Sequence, residues 1–327
     1  MSTDDLSTND LKLILSFTVD LARKAGQLIV EGSEAIQLAG PNVDEKKNSV
    51  DLVTEYDVRV EELVKKEIFA AYPNFKFIGE ESYAAGSRPP LTDDPTYCVD
   101  PIDGTTNFVH GFPWVCISIG LIYKKVPVLG VIYNPFLDLL YTGIKGQGSY
   151  LSRHGGAPLK LPLVKNPKPL ATLNHALIAV EWGNDRTIDP LTKRSESFHK
   201  LAGDPDNGVE GGRMVHSLRS LGSSAMNFAT VAQGGLDIYW EVGCLPWDVC
   251  AGMVIAQEAG GIVTGSHAYY EANKDSPSFG EPNEEILTGR KHLVVRAFGN
   301  SEKEKGRDAQ KKIMGEFYST VIDYNVS

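Results

Sequence analysis

Cysteine is scarce: Cys98, Cys116, Cys244 and Cys250 are the only four in 327 residues. That is too few for a disulfide framework at this length. None forms a Cys-x-x-Cys pair or stands beside a histidine ligand, so the four are read as reduced core residues. Long apolar runs are missing too. No stretch approaches the roughly 20 residues a membrane helix needs. The start, Met1-Ser2-Thr3-Asp4-Asp5, is acidic where a secretory or organellar leader would be basic, so a cytoplasmic protein with no membrane partner is expected. Positive charge is short as well. Thirty-two Lys and Arg against 42 Asp and Glu leave a net charge of −10, which disfavours nucleic acid as a partner. Small anions remain open, provided their positive counterpart does not come from side chains.

What is present suits one large α/β unit or two modest domains. Apolar spacing predicts helices over Leu11–Ile29 and Thr54–Ala71, the second with Val60, Val64, Ile68 and Ala71 along one stripe and Pro73 after it. From Trp114 to Leu151, β-formers separated by short turn-like pieces predict an antiparallel meander. Strands at Leu177–Val180 and Asp237–Val242 alternate with helices at Pro190–Leu201, Ser223–Ala232 and Asp248–Ala259, in the α/β manner. The polar segments Gly203–Arg213 and Ala272–Glu285 read as surface loops, and Gly146-Gln147-Gly148 as a hairpin turn, lacking the third glycine of a dinucleotide fingerprint.

The densest chemistry lies in "CVDPIDGTTNFVHG", Cys98 to Gly111. Asp100 ends an apolar strand, and Pro101 fixes a turn that can bring Asp103 to the same side. Two carboxylates that close stay ionised only around a cation, and hard oxygen donors with no cysteine or histidine select Mg²⁺, Mn²⁺ or Ca²⁺. Gly104 leaves room for a ligand, and Thr105-Thr106 open a short helix whose N–H groups would face an anion. A plain turn with Asp100 as helix cap stays open at this point. Asp57, Glu80-Glu81 and Asp248 recur at strand ends and helix starts, where α/β folds build sites.

Five stretches, "DLVTEYD" (51–57), "FIGEES" (77–82), "VDPIDGTTNFVHG" (99–111), "RSLGSSA" (219–225) and "WDVCAGMVIAQEAGG" (247–261), together resemble the inositol monophosphatases of the Mg²⁺-dependent, lithium-sensitive phosphatase superfamily. The resemblance runs in family order over most of the chain. It implies a layered αβαβα sandwich (α+β and α/β) of the inositol monophosphatase and fructose-1,6-bisphosphatase type. Residues 1–154 would form an α+β half, residues 155–327 an α/β half, with the metal site between them and a homodimer as the usual assembly.

Carried over residue by residue, the resemblance implies that Glu80, Asp100 and the main-chain carbonyl of Ile102 hold one Mg²⁺. Asp100, Asp103 and Asp248 would hold a second, and a third, weaker ion would sit mainly on Glu80 and water. Asp57 and Thr105, with Glu80, would orient and activate the attacking water. Lys46 corresponds to a mobile-loop lysine. Glu241 would read substrate hydroxyls beside Gly222, Ser223 and Ser224, with Asp103, Gly104, Thr105 and Asp248 also touching substrate. His110 is expected to be structural. Gly222-Ser223-Ser224 stands where many relatives carry Gly-Thr-Ala, and Leu245-Pro246 differs from the animal enzymes, departures that bear on substrate contacts more than on metal ligands.

The expected activity is hydrolysis of inositol monophosphates to myo-inositol and phosphate by a metal-activated water. Phosphate monoesters are among the slowest substrates to hydrolyse unaided, and one acid or base supplies only about 10²–10⁴-fold. Four carboxylates would repel a phosphate dianion unless divalent ions reverse the local charge. Two alternatives remain: a phosphatase of the same superfamily acting on another small sugar or nucleotide phosphate, or a catalytically silent metal-binding relative.

Overall fold

The computed structural model describes residues 5–39, 43–45 and 52–325. In chain order these form α1 (Thr8–Ala39), β1 (Val43–Glu45), β2 (Leu52–Thr54), α2 (Glu55–Ala71), β3 (Lys76–Gly79), α3 (Glu80–Ala84), β4 (Thr96–Asp103) and α4 (Thr105–His110). The meander follows as β5 (Cys116–Tyr123), β6 (Val126–Asn134), β7 (Leu139–Ile144), β8 (Gly148–Arg153) and β9 (Leu159–Lys160). The remainder is β10 (Leu177–Val180), α5 (Ile188–Ala202), β11 (Ser217–Arg219), α6 (Ser224–Gln233), β12 (Ile238–Val242), α7 (Pro246–Glu258), β13 (Ile262–Thr264), α8 (His267–Asn273), α9 (Glu284–Thr288), β14 (Lys291–Val295) and α10 (Gly306–Thr320).

Local chemistry accounts for the early elements. The buried stripe Ile14, Leu21, Ala25, Ile29 and Ile36 carries α1 past the expected end at Ile29. Thr54 caps α2 in a reciprocal box with Asp57 at the third helical position.

Two larger sheets stack with helices in five layers. One sheet runs β3-β4-β5-β6-β7-β8-β9, antiparallel after the parallel β3–β4 pair, and contains the expected meander. The other, ordered β11-β10-β12-β14-β13, is mixed: β10 is parallel to both neighbours, while β14 is antiparallel to its own. The chain changes sheet between Lys160 and Leu177. The segment 272–285 is not all loop, since α8 ends and α9 begins within it.

Strand parity assigns the faces. In the first sheet Tyr97, Val99, Ile117, Ile119 and Leu121 pack against α1 and α2, while Cys98, Cys116 and Ile132 face α6 and α7. In the second sheet Ala179, Tyr239 and Val294 face that same middle layer, and Ile178, Trp240 and Val295 face α10. Both faces of each sheet are covered, which is why β5 is buried nearly throughout. For the same reason α7 lacks a polar face, with every residue from Val249 to Ala256 buried.

A row of side-chain-free positions sets the depth of α7. Gly120, Gly130 and Gly143 are register partners on neighbouring strands. A Cβ at Gly120 would run into Cys250, one at Gly130 into the Ala251 backbone, and one at Gly143 would lie 3.2 Å from Ile255 Cα. The helix lies in this groove, so its N-terminus is held beside the end of β4. All four cysteines are free and buried, and no helix among the described residues is long and apolar enough to cross a membrane.

Candidate active site

Asp100 shares the parity of Cys98 and therefore faces the middle layer. Asp103, three residues on, would face away in a regular strand, but the β4–β5 register slips by one residue between them: Asp100 pairs with Ser118 and Asp103 with Cys116. Pro101 and Ile102 take up this bulge, Ile102 is buried on the opposite face, and both carboxylates point to one side. The expected turn at Pro101 is thus a bulge within a strand that runs through Asp103.

The other acids arrive from different elements. Glu80 opens α3. Asp248 is the third residue of α7, its Oδ2 accepting from the Leu245 N–H at 2.6 Å. Trp247 beside it is buried, packs on Tyr83 at 5.0 Å between ring centroids, and its carbonyl accepts from Ser118 Oγ at 3.3 Å. Asp57 is buried beneath the site: its Oδ2 accepts from Thr54 N (2.8 Å) and Oγ1 (2.6 Å), and its Oδ1 from Thr105 Oγ1 (3.1 Å). Thr105 Oγ1 also lies 3.1 Å from the Ile102 carbonyl oxygen. Asp103 accepts from Ser223 Oγ (2.8 Å), Ser224 N (3.2 Å) and Ala225 N (2.5 Å), which ties β4 to the start of α6.

These groups surround a cavity of about 620 Å³ lined by Glu80, Asp103, Gly104, Thr105, Gly222, Ser223, Ser224, Glu241 and Asp248, among others, with His110 at its rim. Every candidate named from sequence lies in it or directly beneath it, except Lys46, which is outside the described residues. Gly104 has φ +97°, and a Cβ there would lie 3.0 Å from the carbonyl oxygens of both Gly222 and Trp114, so the two walls meet at a position only glycine fits.

The electrostatics are those of crowded anions. Burial, then the charge of Glu80, pushes the carboxyls of Asp100 and Asp248 well above the usual range. Burial raises Asp103 to about 6 against its three hydrogen bonds. Burial, then the charge of Glu181, raises Glu241 to about 8, and Tyr239 donates to Glu241. The thiols of Cys98, Cys116 and Cys244 are pushed up by burial and stay protonated, unfit as ligands. As the side chains stand, no three or more His, Cys, Asp or Glu among the described residues are gathered to hold an ion. The donor set nevertheless fits hard divalent cations: all-oxygen, anionic, and unable to ionise together without one.

Three supporting residues were missed from sequence. Glu61 is buried and accepts from the N–H groups of Glu81 and Ser82, both at 2.7 Å, fixing the turn that presents Glu80. It lies four residues after Asp57 on the buried face of α2, an acid where the periodicity calls for an apolar residue. Glu181 accepts from Ser220 Oγ, Leu221 N, Gly222 N and Asn227 Nδ2 at 2.8–3.0 Å, holding the loop before α6. It follows β10 directly, the same strand-end position that singled out Asp100. Asn107 donates to the carbonyls of Trp114 (2.8 Å) and Leu221 (2.7 Å), joining the two walls.

Comparison with known proteins shows the family and the fold. The family model described as the Inositol monophosphatase family matches residues 10–299. Inositol monophosphatase 1 of Saccharomyces cerevisiae is 39% identical, covering 96% of this chain and 97% of its own. The quinic acid degradation cluster protein x of Neurospora crassa is 37% identical over 99% and 98% of the two chains. The solved inositol monophosphatase of Anabaena superposes with a TM-score of 0.66 at 26% identity, covering 94% of this chain and 97% of that one.

Proposed function

The chain belongs to the inositol monophosphatase family, and from that premise we propose that this phosphatase hydrolyses inositol monophosphates to myo-inositol and phosphate with Mg²⁺. The observation that carries the proposal is the meeting of Asp57 and Thr105, 48 residues apart in sequence and 3.1 Å apart in space, beside a cavity ringed by Glu80, Asp103 and Asp248 with Asp100 beneath.

In this reading Glu80, Asp100, the Ile102 carbonyl, Asp103 and Asp248 would hold two to three Mg²⁺ ions. Bound there, Mg²⁺ supplies Lewis acidity toward water and phosphate and cancels the carboxylate charge that would repel the substrate. Thr105 Oγ1 donates to Asp57 Oδ1, which turns its lone pair outward to orient a water. Asp57, anchored by Thr54 through its other oxygen, is the acceptor for that water's proton. The first N–H groups of α4 have no intrahelical partner and lie at the cavity wall, where they suit phosphate oxygens. Glu241, Ser223, Ser224 and Gly222 line the side that would meet polyol hydroxyls. The same reading takes the enzyme as cytoplasmic and homodimeric.

A second reading, a phosphatase for a different small cyclic polyol or sugar phosphate, is favoured by one observation: a relative matched over 99% of this chain is named for a quinic acid degradation cluster. Phosphate release from a panel of inositol, sugar and nucleotide phosphates, with Mg²⁺, with chelator and with lithium, separates the two. Fastest Mg²⁺-dependent, lithium-sensitive turnover on inositol monophosphate is expected. Full activity in chelator would defeat the metal-dependent mechanism, and preference for another ester would select the second reading.

A further inference from the structure

The loop that leaves β10 supplies Trp182, Gly183 and Asn184 to the cavity lining. Glu181, at its start, accepts from the N–H groups of Leu221 and Gly222, so this loop and the strip before α6 form one wall. Behind the loop lies α5. Its Phe198 stacks on Trp182, with 4.7 Å between ring centroids at 17°. One turn earlier on the same helix face, Arg194 sits behind Gly183. A Cβ at Gly183 would come within 3.0 Å of its guanidinium, and Nη1 lies 3.5 Å from the Asp185 carbonyl oxygen.

Arg194 is only 1% exposed. Its Nε donates to the Tyr324 hydroxyl at 2.8 Å, and its guanidinium carbon lies 5.2 Å from that ring's centroid. Tyr324 belongs to the segment after α10, 130 residues further along the chain, and that segment is itself fastened. The Ile322 N–H donates to Ser197 Oγ on α5 at 2.9 Å, Asp323 pairs with Lys291 at 2.6 Å, and the buried Tyr324 ring meets Trp240 edge-on at 6.1 Å. A buried guanidinium gives the fold no more than a well-packed apolar side chain of similar volume would, because its desolvation has to be offset. What its rigid fork adds is direction. Here the fork joins the segment after α10 to the back of a cavity loop.

We infer that Arg194 and Tyr324 are positioning residues for the substrate: the Tyr324 phenol orients the Arg194 guanidinium, and the guanidinium holds the loop 182–185 at the depth where it lines the cavity. Neither side chain is part of the lining, so both act through the loop and not on the ester. The acids Glu80, Asp100, Asp103 and Asp248 are carried by α3, β4 and α7, none of which takes part in this clamp. Releasing it therefore loosens the hold on substrate and leaves the chemical step alone. The role rests on the phosphatase reading above and deepens it.

The test uses the full chain and three variants: Tyr324→Phe, which keeps the ring, Arg194→Met, and the two combined. With Mg²⁺ present, KM and kcat are read for myo-inositol 1-phosphate, together with the inhibition constant of inorganic phosphate. Hydrogen exchange of the 181–187 amides is followed in the metal-free protein. Each single variant is expected to raise KM about fivefold, the scale of one hydrogen bond, with kcat and phosphate inhibition within about twofold of wild type. Exchange at 181–187 should quicken about tenfold while β4 and β5 keep their protection. The combined variant should be no worse than the worse single one, because both changes remove the same link. Unchanged KM and exchange would make the pair plain core filling, and an equal loss of protection throughout the chain would make it general support of the fold. A fall in kcat or weakened phosphate inhibition would move its effect to the reaction side. Each of these three outcomes overturns the proposal. Absent turnover of every ester by wild type would instead defeat the phosphatase reading, while exchange at 181–187 would still decide whether the clamp holds the loop.

Discussion

The two walls of the cavity are built on opposite principles. The wall carrying Glu80, Asp100, Asp103, Thr105 and Asp248 hangs on buried strands and on a helix seated in a glycine groove, with Asp57 and Glu61 bracing it from below. The wall carrying Glu181, Trp182, Arg186 and Ser220–Ser223 is loop, held chiefly by the four hydrogen bonds into Glu181. A packed interior strand fixes charged oxygens where the chemistry needs them. A loop on a hydrogen-bonded frame can change its side chains without disturbing that packing. The first wall therefore suits reaction chemistry shared across a family, and the second suits substrate choice. Of the departures noted in sequence, Gly222-Ser223-Ser224 falls on the second wall, while Leu245-Pro246 opens α7 beside Asp248 on the first.

This contrast can be broken by substitution on each side. Asp248→Asn on the first wall should lower kcat by about 10³-fold or more, measured as phosphate release at saturating Mg²⁺. Chelator-treated variant should melt no lower than wild type, because the change removes one of several crowded buried carboxylates. Retained turnover would show that Asp248 takes no part in the chemistry. On the second wall, Glu181→Ala strands the buried Asn227 amide and frees three part-buried donors, and should destabilise by about 2 kcal/mol in urea unfolding. It should also raise KM several-fold while kcat stays near normal, and Glu181→Gln should restore most of both. A kcat loss as large as that of Asp248→Asn would erase the division of labour between the walls.

The smallest effect is a pH dependence. Glu241 keeps its proton to about pH 8 in the folded protein, whereas an unfolded glutamate loses it near 4.3. Between those values the native state binds the extra proton, so this group's contribution to stability is fully present below the lower value and falls as pH rises toward the upper one. Thermal melts of the metal-free protein should show Glu241→Gln flattening that decline between pH 5 and 8.5. Identical slopes for wild type and variant would remove Glu241 as its source. His292 acts in the opposite sense: burial lowers it to about 4, so its contribution rises with pH and is complete before pH 7.

Much of the first wall was legible because it is nearly contiguous. Asp100 to Thr105 spans six residues, and the strand–turn–helix signals around it are local. Glu80 and Asp248 were legible by their places at a strand end and a helix start. The bulge was not, because proline after a strand reads equally as a turn, and only the pairing of β4 with β5 distinguishes the two. Glu61 and Glu181 escaped because a carboxylate on a helix stripe or after a strand is more often solvated than buried. Their donors lie 20–46 residues away. The glycines of the α7 groove were unremarkable one by one, and acquire a role only when three strands align under a helix from the other half of the chain.

The amino-acid order alone determined the parity of the regular strands, the apolar stripes of α1 and α2, the all-round apolar α7, and the acids available to the site. These follow from interactions within a few residues, where periodicity and capping act. Tertiary structure alone decided that Asp100 and Asp103 share a face, that Asp57 reaches Thr105, and that α7 sinks far enough to bring Asp248 alongside. Each of these depends on segments tens to more than a hundred residues apart meeting in one register, which packing of the whole chain sets and no local pattern encodes.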